Sequence, residues 1–405
     1  MKDPRTPMIP VEEALQAVLR ESAPLPAERV PFQEAAGRVL AEEIFADADQ
    51  PPFSKALVDG YALRAADLAS LPADLAVVEE IPAGRMPERA IGPGEAARIM
   101  TGAPVPEGAD TVQWLEKAES AEPDRVRILE AVQPGANIAP RGQEIRAGER
   151  ILFPGERLTP ARLGLLASVG RAEVRVHGVP QVAIAATGSE LVEAGHPPAP
   201  GQIRNSNGPA LAARARAAGA RVVEMGIVPD DPEALRDAIR RGLGSDLLLI
   251  SGGVSMGVHD LVEDVLAEEE VEIFFRKVAI RPGKPAVFGR KGGCLVFGLP
   301  GNPVSSLVVF EVLAAAALRT MMGCPAPEGR HLDAILEEEI RQPAGRTGYL
   351  PGHLFFAAES ARARPLPTSG SADLLAYSRA NALLVVPADR DRLRPGDRIR
   401  VLLLD

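Results

Sequence analysis

The period of the hydrophobic pattern changes several times along the chain, and each change marks a new element. Val11 to Ser22 places Leu15, Val18 and Leu19 on one face, behind Pro10, Glu12 and Glu13. That spacing predicts an amphipathic helix with an acidic first turn. Phe32 to Ile44 continues in helical rhythm, and 47–52 breaks it. From Ala48 to Pro140 the pattern becomes short β-like pieces separated by Pro and Gly: Leu75 to Ile81, Ala97 to Thr101, Thr111 to Glu116 and Val126 to Val132. Thr159, with Pro160 behind it, predicts the start of a helix over 160–169 that rejoins the N-terminal one.

After Gly178 the pattern alternates between strand and helix. Val182 to Ala186 and Arg221 to Val228 read as strands, and 209–218 and 232–242 as helices. The second helix has Asp231 as its N-cap and Pro232 at its first position. Leu247 to Ile250 is four apolar residues without polar alternation, which predicts a strand buried on both faces of a parallel sheet. Phe274 to Ile280 and Cys294 to Gly298 continue the sheet, and a long helix follows Pro303. From His331 the helical rhythm stops, and four strand-like stretches predict a closing β domain.

At 405 residues the chain exceeds one compact core, so several domains are expected. Aromatic residues make up 4% and the formal net charge is −10, which argues against a nucleic-acid reader built on stacking platforms and basic grooves. An anionic substrate would need a local cationic grip against that net charge. Lys277, Lys284 and Lys291 cluster in one short segment and are candidates to supply it. The five histidines show no paired helical spacing, and Cys294 and Cys324 show no metal-ligand spacing. No His-based metal site is expected, and the thiols read as core or incidental. The start of the chain has no basic-then-apolar leader pattern, and the apolar stretch near 312–318 is shorter than a bilayer span. A cytoplasmic protein without membrane contact is expected.

The chemistry-bearing residues gather after the predicted strands. Asp246 to Asp260 (DLLLISGGVSMGVHD) runs from the buried strand through Gly252 and Gly253 to a carboxylate at a helix start. Adjacent glycines let backbone N–H groups approach a ligand, and an open α/β sheet binds ligands at its carboxyl ends. Thr187-Gly188-Ser189-Glu190, Asp230, Arg281-Pro282-Gly283-Lys284 and Gly301-Asn302-Pro303 occupy equivalent places. Each has a plainer reading: a tight turn for the glycines, helix capping for the carboxylates, a solvated turn for the cations. Asp59-Gly60, in VDGYA, is by itself a turn signal.

Together VDGYA, RIMTGAPVPEGAD, TGSEL, DLLLISGGVSMGVHD, KVAIRPGKP and GLPGNPVSS, in this order, resemble the molybdopterin molybdenumtransferase family, the MoeA proteins and the gephyrin E-domain. The resemblance implies a multidomain α/β protein. Its parts would be a discontinuous helical domain (1–47 and 141–178), an inserted β-rich domain (48–140), a three-layer molybdopterin-binding α/β domain with a parallel-rich sheet (179–328) and a β-barrel-like domain (329–405). It implies a homodimer that takes adenylylated molybdopterin and molybdate, inserts molybdenum at the dithiolene and releases AMP with Mg²⁺. Glu190, Asp230 and Asp260 would hold the metal. Lys277, Arg281 and Lys284 would act with them, as would Asp59, which in the family reaches the active site of the other subunit. Thr101, Gly252, Gly253, Ser255, Gly301, Asn302, Pro303, Ser305 and Ser371 would contact substrate.

The chain departs from the family pattern in places. Glu144 stands where an Asp is common, and Pro351 stands where a molybdate-contacting Arg is expected, with Arg346 nearby as a substitute. Two other functions stay open at this point. One is the preceding adenylyl transfer to molybdopterin, against which Gly252-Gly253-Val254-Ser255 and the N-terminal region argue. The other is a carrier or scaffold that binds the pterin nucleotide without turnover.

Overall fold

The computed structural model describes residues 7–253, 261–357 and 360–404. The chain divides into two compact units, the larger formed by 1–41, 155–159 and 173–405 and the smaller by 42–154 and 160–172.

The larger unit is built on a six-stranded sheet. Its elements, with the first helix of the chain, are α1 (Val11–Glu21), β1 (Gln181–Thr187), α2 (Asn207–Ala217), β2 (Arg221–Val228), α3 (Pro232–Gly242), β3 (Leu247–Ser251), α4 (Leu261–Glu268), β4 (Glu272–Lys277), β5 (Pro285–Lys291), β6 (Cys294–Leu299) and α5 (Pro303–Met321). The strand order is β2-β1-β3-β6-β5-β4, with the first four strands parallel and the last two antiparallel. As its composition predicts, β3 is buried along its whole length. Leu247 and Leu249 share a core with α1, α2 and α5, while Leu248 and Ile250 pack with α3 and α4. A strand with apolar side chains on both faces is the centre of a three-layer sandwich.

Local signals behave as their chemistry requires. The Asp231 carboxylate accepts the Glu233 and Ala234 N–H groups and caps α3, with Pro232 at the first helical position. Gly219 ends the turn after α2 at φ +99°. By length and composition α5 could cross a membrane, but its apolar window is mostly buried inside the unit. It is a core helix, and its Glu311 pairs with Arg214 of α2. In the same unit, five strands close into a small barrel: Thr347–Ala357, Ser360–Pro365, His331–Leu336, Arg398–Leu403 and Ala382–Val386.

The smaller unit carries a second six-stranded sheet, ordered Thr111–Trp114, Gly60–Leu63, Glu95–Ile99, Ala73–Ile81, Arg125–Ile128 and Ala118–Glu122. Helix Pro160–Ser168 belongs to this unit, whereas α1 packs into the core of the larger one. The two helices expected to share one domain thus fall in different units. The helical rhythm predicted over 32–44 is also not realised. Ala27–Pro31 is a strand paired with Glu173–His177, only Phe32–Ala35 makes a 3-10 turn, and Gly37 adopts φ +76°. Val39 and Leu40 then bridge to Arg157 and Val176, so their burial comes from extended pairing rather than a helical face.

Replacing Leu249 by Ala removes buried volume from the central strand and should cost about 2–5 kcal/mol. A urea melt of the variant followed by far-UV circular dichroism is expected to show a lower midpoint for the larger unit. An unchanged midpoint would contradict the two-sided burial of β3.

Candidate active site

Parallel strands leave their carboxyl ends on one side of the sheet, and a cavity of about 860 Å³ lies there. Thr187 and Gly188 from β1, Asp230 after β2, Ser251 to Gly253 from β3, and Gly301 to Pro303 after β6 all line it. Side-chain absence at two glycines sets how closely these ends approach. At Gly252, φ +99°, a Cβ would stand 2.3 Å from the Thr187 carbonyl oxygen. At Gly253, φ +64°, it would stand 2.5 Å from Val262. Only glycine fits both the conformation and the space.

Polar side chains tie the loops together. The Ser189 N–H donates to the Asp230 carboxylate at 3.0 Å, and the Asp230 N–H donates to the Ser189 hydroxyl at 3.2 Å. Asn207, at the start of α2, donates through Nδ2 to Ser251 Oγ at 2.8 Å and to the Gly301 carbonyl at 2.7 Å. Because Gly301 offers only an acceptor, the amide orientation is settled and Oδ1 is left as an acceptor. Among the described residues, that Oδ1 and the Thr187 hydroxyl are buried without a partner. Sequence reading did not single out Asn207; its only signal was the polar run Asn205-Ser206-Asn207 before a helix.

Glu190 and Asp230 line this cavity as exposed carboxylates. Among the described residues no group of three His, Cys, Asp or Glu side chains is arranged to hold a metal. Two hard oxygen donors beside room for water and phosphate nevertheless suit Mg²⁺, which typically takes one or two carboxylates. Asp260 and Ser255 lie outside the described residues.

A second cavity of about 500 Å³ adjoins the first, since Asn302 lines both. Arg281, Lys284, Ser305, Arg346, Pro351 and Ser371 line it. Asn302 Nδ2 donates to Ser371 Oγ at 2.8 Å, which connects the sandwich to the loop that follows the barrel strand Ser360–Pro365. Gly283 is held at φ +113° against α5, where a Cβ would meet Val309 at 2.5 Å. Arg281, Lys284 and Arg346 are partly buried, and none has an acidic partner among the described residues. Burial, and then the neighbouring Arg281 charge, pull the Arg346 guanidinium below its ordinary pKa. Three such cations lining one cavity, with no carboxylate among its described lining residues, are the chemistry that suits an anion.

Lys277 lies on the edge strand β4 and lines neither cavity. Lys291 is occupied elsewhere, donating to the Glu269 carbonyl. Asp59 and Thr101 belong to the smaller unit. There Asp59 is a hydrogen-bonded carboxylate rather than a plain turn residue, accepting the Thr101 N–H and hydroxyl, both at 2.7 Å. Gly60 begins a strand, and a Cβ on it would stand 1.8 Å from the Gln113 carbonyl oxygen. Burial pushes the Cys294 thiol up to about 12 and raises that of Cys324, so neither is a ready nucleophile.

Residues 9–170 match the "MoeA N-terminal region (domain I and II)", 183–320 the "Probable molybdopterin binding domain" and 333–404 the "MoeA C-terminal region (domain IV)". Molybdopterin molybdenumtransferase 2 of Mycobacterium tuberculosis is 38% identical over 354 residues, covering 85% of this chain and 87% of that protein. The chain belongs to the MoeA family. Molybdopterin molybdenumtransferase of Bacillus subtilis is 33% identical over 100% of this chain and 96% of its own. A crystal structure of the molybdopterin biosynthesis MoeA protein from Pyrococcus horikoshii superposes on this MoeA chain with a TM-score of 0.82 at 34% identity, covering 98% and 99% of the two chains. The implied fold, a multidomain α/β protein with a C-terminal barrel, is therefore the family's own.

The Thr101 N–H, and after it the Thr101 hydroxyl, hold Asp59 below the usual carboxylate range. A depressed pKa gives stability that is present above the ordinary carboxylate value and is lost as the pH falls through the depressed one. Thr101→Val removes only the hydroxyl bond, so the Asp59 pKa should rise part of the way toward its ordinary value. A carbon-13 carboxyl titration checks this, and an unmoved value would assign the whole effect to the backbone.

Proposed function

We propose that this MoeA protein takes adenylylated molybdopterin and molybdate, places molybdenum at the dithiolene and releases AMP. The observation that supports this most is the pairing of two unlike cavities through Asn302. The larger has glycine-lined strand ends and two carboxylates, which suits a nucleotide-bearing pterin. The smaller has three unpaired cations with Ser305 and Ser371, which suits a tetrahedral dianion such as molybdate.

Glu190 and Asp230 are the side chains that would hold Mg²⁺, which when bound draws charge off phosphate oxygens. The chain's own groups position the rest. Gly252 and Gly253 let the backbone approach the substrate, and Asn207 keeps the β3 and β6 loops at a fixed spacing. Asn302 lines both cavities and holds Ser371 of the smaller one, where the dithiolene would meet the oxyanion. Arg281 and Lys284 bind and orient the oxyanion before any bond changes, which converts an encounter into a held geometry. In this reading the protein is a cytoplasmic homodimer, and Asp59, kept ionised by Thr101, acts on the site of the second copy.

The test is AMP release from adenylylated molybdopterin with Mg²⁺, with and without molybdate. Wild-type protein is expected to show molybdate-stimulated release, with Asp230→Asn and Lys284→Ala each lower by about 100-fold or more. Wild-type turnover in both variants, or release indifferent to molybdate, would overturn the proposal.

A further inference from the structure

A further cavity, of about 300 Å³, lies within the larger unit and shares no described lining residue with the two at the strand ends. Helix α2 measures the separation. Its first residue, Asn207, lines the larger strand-end cavity, while Ala217 at its other end lines this one. Over its 11 residues the helix rise separates the two ends by about 15 Å. Helix α5 repeats the arrangement, with Pro303 at the strand ends and Arg319, in its last turn, at the distant cavity.

Four arginines line this cavity, Arg38, Arg157, Arg214 and Arg319, and no carboxylate is among its described lining residues. They come from four separate stretches of chain. Arg38 donates to the His177 carbonyl at 2.6 Å and pairs with Glu28, and Arg157 Nε donates to the Gly37 carbonyl at 3.0 Å. Arg214 pairs with Glu311, and Arg319 donates to the Pro327 carbonyl at 3.1 Å. Contacts of this kind orient a guanidinium, which carries five N–H donors in all. Arg214 and Arg319 stand in the last turns of α2 and α5, where a cation is favoured for its own sake. Arg38 and Arg157 lie on neither helix, and Arg38 is held at 15% side-chain exposure among like charges. Gathering like charges at a half-buried place is unfavourable unless an anion is bound there. The Cys324 thiol, on the same wall, senses two of them: burial raises its pKa, and the Arg157 and Arg319 charges act against that.

We propose that this arginine-lined cavity is a second ligand site, distant from the strand ends, that takes the diphosphate group of a small molecule. Planar guanidinium forks match phosphate oxygens in pairs. A diphosphate presents oxygens on all sides, so groups arriving from four stretches of chain can reach it together. A planar carboxylate is served by one or two forks. The apolar wall of Phe310, Ala315 and Met322 is left for the uncharged part of the ligand. The site stands whatever reaction the strand ends carry.

The experiment titrates inorganic pyrophosphate into the full chain by calorimetry, without divalent metal. The protein carries Lys284→Ala, which weakens the other cationic cavity. Saturable binding is expected, and adding Arg157→Ala should weaken it about 10-fold or more. Arg157→Lys should lie between, because it keeps the charge and loses the planar fork. Citrate in place of pyrophosphate should bind about 10-fold more weakly or worse, which separates phosphate from carboxylate recognition. Cys324 gives the location: pyrophosphate is expected to slow its alkylation by iodoacetamide in the Lys284→Ala protein and not in the Arg157→Ala double variant. Far-UV circular dichroism checks that each variant is folded. No saturable binding to the Lys284→Ala protein, binding indifferent to Arg157→Ala in a folded protein, or citrate held as tightly as pyrophosphate would overturn the assignment.

Discussion

The active-site end of the larger unit depends on one close approach, that of Gly252 to the Thr187 carbonyl. A Cβ at Gly252 would come within 2.3 Å of that oxygen, so the end of β3 can pass beneath the end of β1 only with glycine. The strand itself is held by apolar side chains on both faces and cannot shift to make room. With β3 fixed, the Gly252 N–H reaches the Leu299 carbonyl, and Asn207 bonds Ser251 and Gly301. The loops that line the larger cavity are therefore positioned by the sheet and need little of their own stability.

Electrostatics then separates the two halves of the site. Glu190 and Asp230 line the larger cavity, while Arg281, Lys284 and Arg346 line the smaller, with Asn302 shared by both. An acidic protein can concentrate a dianion only where cations are kept from pairing with carboxylates. Many arginines of this chain do pair, as Arg236 does with Glu233 and Glu268. Arg281, Lys284 and Arg346 at the smaller cavity do not, among the described residues. Unspent charge of this kind is a stronger indication of a ligand than the cavity volume.

Much of this was legible in the sequence because it is local. Four apolar residues followed by Gly-Gly announced β3 and its loop, and Asp231-Pro232 announced the start of α3. The positions of Glu190, Asp230, Arg281 and Lys284 at strand ends followed from the βα alternation. What depended on distant pairing was not legible. The 32–44 segment has helical spacing, yet Val39 and Leu40 are buried by bridges to residues more than a hundred positions away. Lys277 stands close to Lys284 in sequence, but lies on an antiparallel edge strand and lines neither cavity. Asn207 carried no motif, because its work is to bond Ser251 and the Gly301 carbonyl, which only the fold brings near.

The central claim is that an oxyanion sits among Arg281, Lys284, Arg346 and Ser305, next to the nucleotide cavity. Tungstate is a tetrahedral dianion of nearly the same size as molybdate and scatters X-rays anomalously, so a crystal soaked in it locates the site directly. The account predicts an anomalous peak within hydrogen-bond distance of Arg281 and Lys284 and beside Ser305. A well-occupied peak elsewhere, with that cavity lacking one, would contradict it.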